Sequence, residues 1–390
     1  MKLLDICETI VDCPHSTAKD EGTGYPLIRT PNVGKGRLKL AGVHRVSENV
    51  YNQRNERAVP QVDDLILARE APVGNVAIIR KGQQVCLGQR TVLIRPNKKY
   101  VDPDYLVYYL LSPELQHKLL SSANGATVSH LNMSSIRSLE VQVPEIEVQK
   151  RIGAILARID DKIELNSTIN ENLEQQAQAL YRQMFVNADD NQSATIADIS
   201  LNVTDGVHNT VKDDSDGSYL LLSCKNIKGG SLNIGSSERH INKETFDKLR
   251  KRTQLAKGDI LISSVGTIGE ILMLNTEPTY YEFQRSVAMI KPDTELVSPA
   301  YVYESLLYKK AELINAAHGA VQQCLFISDI SEFPIDIPSK VKLDIFNSAV
   351  IPMFEIITAN NEENQRLAAL RDTLLPKLMN GEIDVSAVQI

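Results

Sequence analysis

Glycine is missing from two long stretches of this chain, 154–205 and 320–380. Because a glycine inside a helix costs about 1 kcal/mol relative to alanine, both stretches are open to long uninterrupted helices. Proline is less cooperative: Pro352 should start or kink the second helix, and Pro376 should bend its last turn. The five cysteines (Cys7, Cys13, Cys86, Cys224, Cys324) are odd in number, scattered, and include no C-x-x-C pair. They exclude a disulfide frame and a cysteine-based zinc site. No apolar run approaches the ~18 residues of a membrane span, and residues 1–10 lack the apolar core of a signal peptide, so a cytoplasmic chain with no membrane partner is expected.

Catalytic motifs are equally scarce. There is no Asn/Asp-Pro-Pro-aromatic motif to hold a target amine and no H-E-x-x-H, and Asn32-Val-Gly-Lys-Gly36 lacks the spacing of a phosphate loop. Asp63, Asp64 and Glu70 are close enough in sequence for a nuclease cluster, but solvated acids at a strand end account for them more simply. No metal site and no catalytic residue is expected.

What the chain does contain is a seam. Over residues 149–185, steps of four and three connect Ile152, Leu156, Ile159, Ile163, Asn166, Asn170, Leu173, Ala177, Leu180 and Met184, the heptad signature of a coiled-coil helix. Adding 194 to each number gives Phe346, Val350, Met353, Ile357, Asn360, Asn364, Leu367, Arg371, Leu374 and Leu378. Asparagine at a seam position lowers stability and is tolerated where it fixes register. Its recurrence predicts two long helices packed side by side and antiparallel, with Asn166 and Asn170 near Asn360 and Asn364. Arg371, standing where the first seam has Ala177, should leave the interface or pair with an acid.

The repeat extends beyond the helices. The loop TIVDCPHST holding Asp12 and His15 is matched by NVTDGVHNT with Asp205 and His208. Alternating runs from Tyr25 and Tyr219 end near Asn32 and Asn226. Asp64-Leu-Ile-Leu with Gly74 is matched by Asp259-Ile-Leu-Ile with Gly269, and Gln89-Arg90 by Gln284-Arg285, now at an offset of 195. Tyrosine-rich helical stretches (105–120 and 301–314) and Gly-Ala turns (Gly125-Ala126 and Gly319-Ala320) follow in each half. The predicted architecture is α/β (α+β): a first globular domain (1–144), a long helix (145–190), a second globular domain (191–338), and a second long helix with tail (339–390). The halves form an internal repeat with pseudo-two-fold symmetry.

A formal charge of −7 argues at first against a nucleic-acid partner. Its distribution qualifies that. Residues 1–140 hold 18 basic and 14 acidic side chains, 141–194 hold 5 and 9, 195–337 hold 14 and 19, and 338–390 hold 5 and 7. Any nucleic-acid footprint must be a local face.

With these residues in hand, the chain resembles the specificity (S) subunits of type I restriction-modification systems. The resemblance rests on the two Asp/His loops, the Asp64 and Asp259 motifs with their glycines, the Gln-Arg pairs, and the terminal Leu374-Leu-Pro-Lys-Leu-Met-Asn-Gly-Glu-Ile383. It implies two target recognition domains that read a split, asymmetric double-stranded DNA site, with the helices setting the spacer and docking two methylation subunits. It also implies a non-catalytic chain that binds no cofactor, S-adenosylmethionine and ATP belonging to the methylation and restriction subunits. A coiled-coil scaffold with two protein-binding heads is the alternative.

For DNA contact, Lys35, Arg37 and Lys39 alternate as if on one face of a strand and are candidates for phosphate, against a merely solvated edge. In the second domain, Lys248, Arg250, Lys251 and Arg252 form the densest basic run, with Lys225 and Lys228 as weaker candidates. Arg90 and Arg285, being repeated, suggest a shared structural role as buried arginines bonded to carbonyls. His15 and His208 should fix their loops. Specificity is expected where the halves differ after the Gly-Ala turns: Ser129, His130 and Asn132 against Gln322 and Gln323. Contact with the methylation subunits is expected on the outer helix faces, where Glu164, Glu171, Glu174, Glu362, Glu363 and Arg366 project.

Overall fold

The computed structural model describes residues 1–121, 130–186, 192–235, 237–319 and 323–388. It divides into two compact units, one of Met1–Leu165 with Glu363–Ile390 and the other Asn166–Glu362. The two long helices, Ile146–Phe185 and Lys340–Met379, each contribute residues to both units.

Each unit is built on a sheet with an antiparallel core of four strands. In the first, Cys7–Asp12, Thr91–Pro96, Leu65–Ala68 and Val76–Ile78 are antiparallel neighbours in that order, and Gly36–Arg37 adds in parallel. In the second, Ser200–Asp205, Val287–Pro292, Ile260–Ser263 and Ile271–Met273 repeat the antiparallel order. A register irregularity recurs between Cys7 and Thr9 and between Ser200 and Asn202. A second, three-stranded sheet also recurs. Tyr25–Ile28 lies between antiparallel Arg45–Val46 and parallel Cys86–Leu87, as Tyr219–Leu222 lies between Arg239–Ile241 and Tyr281–Phe283.

Apolar runs explain the central strands. Leu65–Ala68 and Ile260–Ser263 are buried along their whole length, as strands covered on both faces must be. The acid preceding each run is buried too. Asp64, 2 % exposed, accepts from Arg95 Nε at 2.9 Å and Nη2 at 2.7 Å, and Asp259 accepts from Lys291 at 2.8 Å. The repeated Asp-apolar motif is therefore a strand-end anchor to a cation on the neighbouring strand. This corrects the solvated reading of Asp64, because an unpaired carboxylate could not be buried there. Asp63 pairs with Lys98 at 2.6 Å and Glu70 with Arg90 at 2.8 Å.

The tyrosine-rich stretches are each two helices: Pro103–Leu111 and Pro113–Ser121, then Pro299–Tyr308 and Lys310–Asn315. Their starts follow a common rule: Asp102 and Ser298 accept the Tyr105 and Tyr301 N–H groups at 2.9 and 3.2 Å, with proline at the next position. Gly74 (φ +87°) and Gly269 (φ +83°) make the turns against them. A Cβ at these positions would lie 2.7 Å from Gln116 Oε1 and 2.5 Å from Ile314 Cγ1.

The seam meets its partner within each unit. In the first unit Lys162 pairs with Glu363 at 3.3 Å and Asp160 with Arg371 at 2.8 Å. In the second, Asn170 exchanges hydrogen bonds with Asn360 (2.8 Å) and Asn361 (2.9 Å), while Phe185 packs on Phe346 at 5.2 Å. Residue numbers rise on one segment as they fall on the other, so the segments are antiparallel. Asn170 is 7 % exposed and Asn166 0 %; Asn364 is half-buried. Arg371 stays in the seam by pairing with an acid.

Pro352 neither starts nor ends its helix, which begins at Lys340. An interior proline costs about 3 kcal/mol. Phe346, Val350, Phe354 and Ile357, each below 8 % exposed, flank exposed Pro352 in sequence and pack into the core of the second unit. At roughly 1.5–3 kcal/mol per buried side chain, their packing outweighs it. In the first unit, Leu374, Leu378 and Val385 pack into the core formed by Leu65, Tyr105 and Tyr108.

Candidate nucleic-acid interface

The repeated Asp/His loops end the first strand of each unit. Asp12 accepts two bonds of 2.9 Å from Arg69 Nη1, and His15 lies 3.4 Å from it. Asp205 lies 2.7 Å from His208 and accepts from Arg252 Nη2 at 2.9 Å. Each histidine lies beside its loop's carboxylate, and both imidazoles are more than half exposed. The arginines that clamp the carboxylates come from different places. Arg69 also donates to the Leu131 carbonyl at 2.7 Å, whereas Arg252 reaches the Asp205 and Gly206 carbonyls from a helix. The Arg69 clamp is missed by the sequence because the repeat puts Ser264 at its counterpart.

The candidate cations separate into free and committed. The strand predicted around Lys35, Arg37 and Lys39 is only Gly36–Arg37. Lys35 and Lys39 are exposed, but Arg37 turns inward, to Asp161 at 2.6 Å, the Ala157 carbonyl at 3.2 Å and the Tyr108 hydroxyl at 3.3 Å. Three cations on one face is therefore corrected to two. The basic run lies on helix Lys243–Thr253, where Lys248 and Lys251 are exposed. Arg250 is committed to buried Glu282 and to the Pro278 and Tyr281 carbonyls, and covers the Phe246 ring at 4.8 Å. Lys225 pairs with Glu238 at 3.0 Å, and Lys228 is exposed.

Of the proposed specificity segments, His130 Nε2 lies 3.0 Å from Asn132 Oδ1, and Gln323 is exposed. Ser129 and Gln322, with Gly125-Ala126 and Ala320, lie outside the described residues.

The Gln-Arg pairs are not structural equivalents. Arg69 N–H donates to the Arg90 carbonyl, while its counterpart Ser264 N–H donates to the Ser286 carbonyl. Gly88 N–H meets the Ile28 carbonyl, and Gln284 N–H meets that of Leu222. Gln284 therefore matches Gly88, and Arg285 matches Gln89. Both arginines are exposed rather than buried, which corrects the expectation of a shared buried role; the one-residue slip makes their likeness in sequence misleading.

Among the described residues, no group of three or more His, Cys, Asp or Glu side chains is placed to hold a metal. None of the described helices is long and apolar enough to cross a membrane.

Two thirds and more of the chain have counterparts among known proteins. The model of the type I restriction modification DNA specificity domain matches residues 1–175 and 209–363. The type I restriction enzyme HindI specificity subunit of Haemophilus influenzae is 26 % identical, over 75 % of this chain and 80 % of its own length. The MjaIX specificity subunit of Methanocaldococcus jannaschii is also 26 % identical, over 88 % and 83 %. In fold, the chain is similar to the crystal structure of a type I restriction-modification S subunit from M. genitalium, with a TM-score of 0.58, 14 % identity, and 97 % and 95 % of the two chains covered.

Proposed function

The chain belongs to the family of type I restriction-modification DNA specificity subunits, and from that premise we propose that it reads a bipartite, asymmetric double-stranded DNA site, one half with each unit. The observation that carries this reading is the duplicated scaffold: the same two sheets and the same Asp/His loop, built twice with different polar residues around them. The exposed cations Lys35 and Lys39 in one unit, and Lys228, Lys248 and Lys251 in the other, are the candidates for phosphate. His130, Asn132 and Gln323 remain candidates for base contact.

A helix of 40 residues is about 60 Å long, more than one turn of B-DNA at roughly 34 Å. The paired helices are assigned the setting of the spacer between half-sites and the docking of two methylation subunits. Exposed aliphatic residues support docking: Leu165 and Leu370 in the first unit, Val341, Ile345 and Ile356 in the second. They accompany the exposed Glu171, Glu362 and Arg366, whereas Glu363 is paired with Lys162, Glu164 lies 3.6 Å from Arg37, and Glu174 is half-buried. We assign S-adenosylmethionine and ATP to methylation and restriction subunits of a cytoplasmic complex, this chain being non-catalytic.

The test is sequencing-based mapping of modified adenines in a methylation-free host that expresses this chain with its methylation subunit. A split motif that vanishes when this chain is omitted is the expected result. An assembled complex that neither modifies nor binds DNA would refute it in favour of a scaffold with protein-binding heads. Within a working complex, Lys248→Ala with Lys251→Ala should weaken binding uniformly across sequences and lower the salt slope by roughly one to two counterions.

A further inference from the structure

The second unit contains a polar cleft of about 500 Å³ beside its three-stranded sheet, lined by Ser223, Lys225, Glu238, Arg239, His240 and Gln284. Of these, only Lys225 is among the candidates for DNA contact read from the sequence. We propose that this cleft is the base-reading site of the second unit, with Arg239 and Gln284 as its principal specificity-determining side chains. The inference rests on the DNA-reading function proposed above and assigns residues to it.

The argument starts from what the two units hold constant. Asp213 accepts the His240 N–H at 2.8 Å, and the His240 ring bonds the Gly217 carbonyl at 2.8 Å. In the first unit Asp20 accepts the Arg45 N–H at 2.9 Å, and the Arg45 side chain bonds the Gly24 carbonyl at 2.8 Å. Asn226 receives the Ser223 N–H at 2.9 Å and donates to the Asn233 carbonyl at 2.8 Å; Asn32 does the same with Arg29 (3.1 Å) and Lys39 (3.2 Å). These bonds repeat one backbone frame in both units, and in the second unit that frame borders the cleft.

Most of the side chains that face the cleft are, by contrast, replaced, Asp213 and Leu221 being kept as Asp20 and Leu27. By strand register, Arg239 pairs with Leu221 where His44 meets Leu27, and Gln284 follows Phe283 where Gly88 follows Leu87. Ser223 stands for Arg29, and Lys225 for Pro31. A fixed frame with exchanged lining is what two readers of different half-sites require.

The chemistry of the lining favours base edges over phosphate. Arg239 and Gln284 make no side-chain hydrogen bond or ion pair to the described residues, so their donors and acceptors are available to a ligand. Arginine matches guanine O6 and N7, and glutamine matches adenine N6 and N7. The two acids near them are occupied, Glu238 by Lys225 at 3.0 Å and Asp213 by the backbone of His240. A phosphate track needs a surplus of cations, whereas this cleft balances Lys225 and Arg239 against two carboxylates.

The test uses the full chain in its complex with methylation subunits, mapping modified adenines for wild type, Arg239→Ala and Gln284→Ala. Wild type must first yield a split motif; without one, the proposed DNA-reading function itself fails, separately from this assignment. Given that motif, each variant should lose roughly ten- to a hundredfold discrimination at one base pair of one half-site. The other half-site and the spacer should not change. An unchanged motif in both variants overturns the assignment. If a variant abolishes modification, its melting temperature decides: a lowered one makes the cleft structural and overturns the assignment. With an unaltered melting temperature, binding selection from DNA randomised in that half-site is run on Arg239→Lys. A selected sequence that differs from wild type supports base reading, and an identical one overturns it.

Discussion

The two units solve one packing problem in opposite ways, and a pair of substitutions should convert one solution into the other. In the first unit Asp160, 4 % exposed in its side chain, accepts from the Tyr108 hydroxyl at 2.6 Å and from Arg371 at 2.8 Å. At the corresponding positions of the second unit, Tyr303 packs edge-on against Phe354 at 5.7 Å, and Ala177 stands where the arginine would be. Removing Arg371 alone leaves a buried carboxylate with only a hydroxyl donor, at a cost of about 3–5 kcal/mol. For a unit of this size that lowers its melting transition by between about 6 and 20 °C. Asp160→Phe alone strands Arg371 against the exposed Asp372 and should cost about 2 kcal/mol. Together, Asp160→Phe and Arg371→Ala rebuild the apolar arrangement, with the Tyr108 hydroxyl still within 3.3 Å of Arg37. The double variant should therefore lie within about 2 kcal/mol of wild type, because well-packed apolar groups replace buried ion pairs at little cost. Calorimetric scans of the full chain, fitted with separate transitions for the two units, measure the cycle. Losses that simply add would refute the reasoning.

In the second unit Glu304 is 1 % exposed; burial and then the Glu174 carboxylate push it up to about 8 from an ordinary 4.5, with Arg182 pulling the other way. The folded state thus holds a proton that the unfolded state releases, so stability should fall as pH rises from 4.5 towards 8, by an amount on the order of 4 kcal/mol. Glu304→Gln should flatten that dependence and leave the variant more stable than wild type at pH 8.5; parallel melting curves at pH 6 and 8.5 for both proteins would contradict this. Arg250→Ala should destabilise the same unit by about 3–5 kcal/mol, since Glu282, 0 % exposed and already pushed up by burial, would lose its charged partner and keep only neutral donors, the Thr253 hydroxyl at 3.1 Å and the Phe283 backbone. Urea unfolding measures it, and a loss below about 1 kcal/mol would show that Arg250 is not the partner that makes Glu282 tolerable.

How far the sequence discloses this molecule depends on the range over which each feature is encoded. The seam is written at a spacing of three and four residues, so Asn170 meets the second helix as expected, at Asn360 and also at the neighbouring Asn361. The duplication is written at a spacing of about 194 and survives small insertions, so the paired strand runs and both Asp/His loops are visible in advance. Commitment of a cation is encoded in neither way. Arg37 differs from Lys35 and Lys39 only because Asp161, 124 positions later, lies against it, and Arg250 differs from Lys251 only because its side of the helix faces Glu282. A basic run states how much charge is present and not which side chains remain free.

The internal repeat supplies part of what is missing, provided that likeness is judged by hydrogen bonds rather than by letters. Gln89-Arg90 and Gln284-Arg285 agree in sequence and disagree in register, whereas Asp20 and Asp213 sit in dissimilar surroundings and hold the same backbone group. Replacement between the units is not by itself a mark of recognition, since Asp160 and Phe354 are exchanged in the core, where no base could reach. If the units read two half-sites as proposed, only positions that are exchanged, open to solvent and not already bonded can carry the difference between them. Arg239 and Gln284 meet all three conditions; Arg250 fails the last, so the densest basic run offers fewer free cations than its charge suggests.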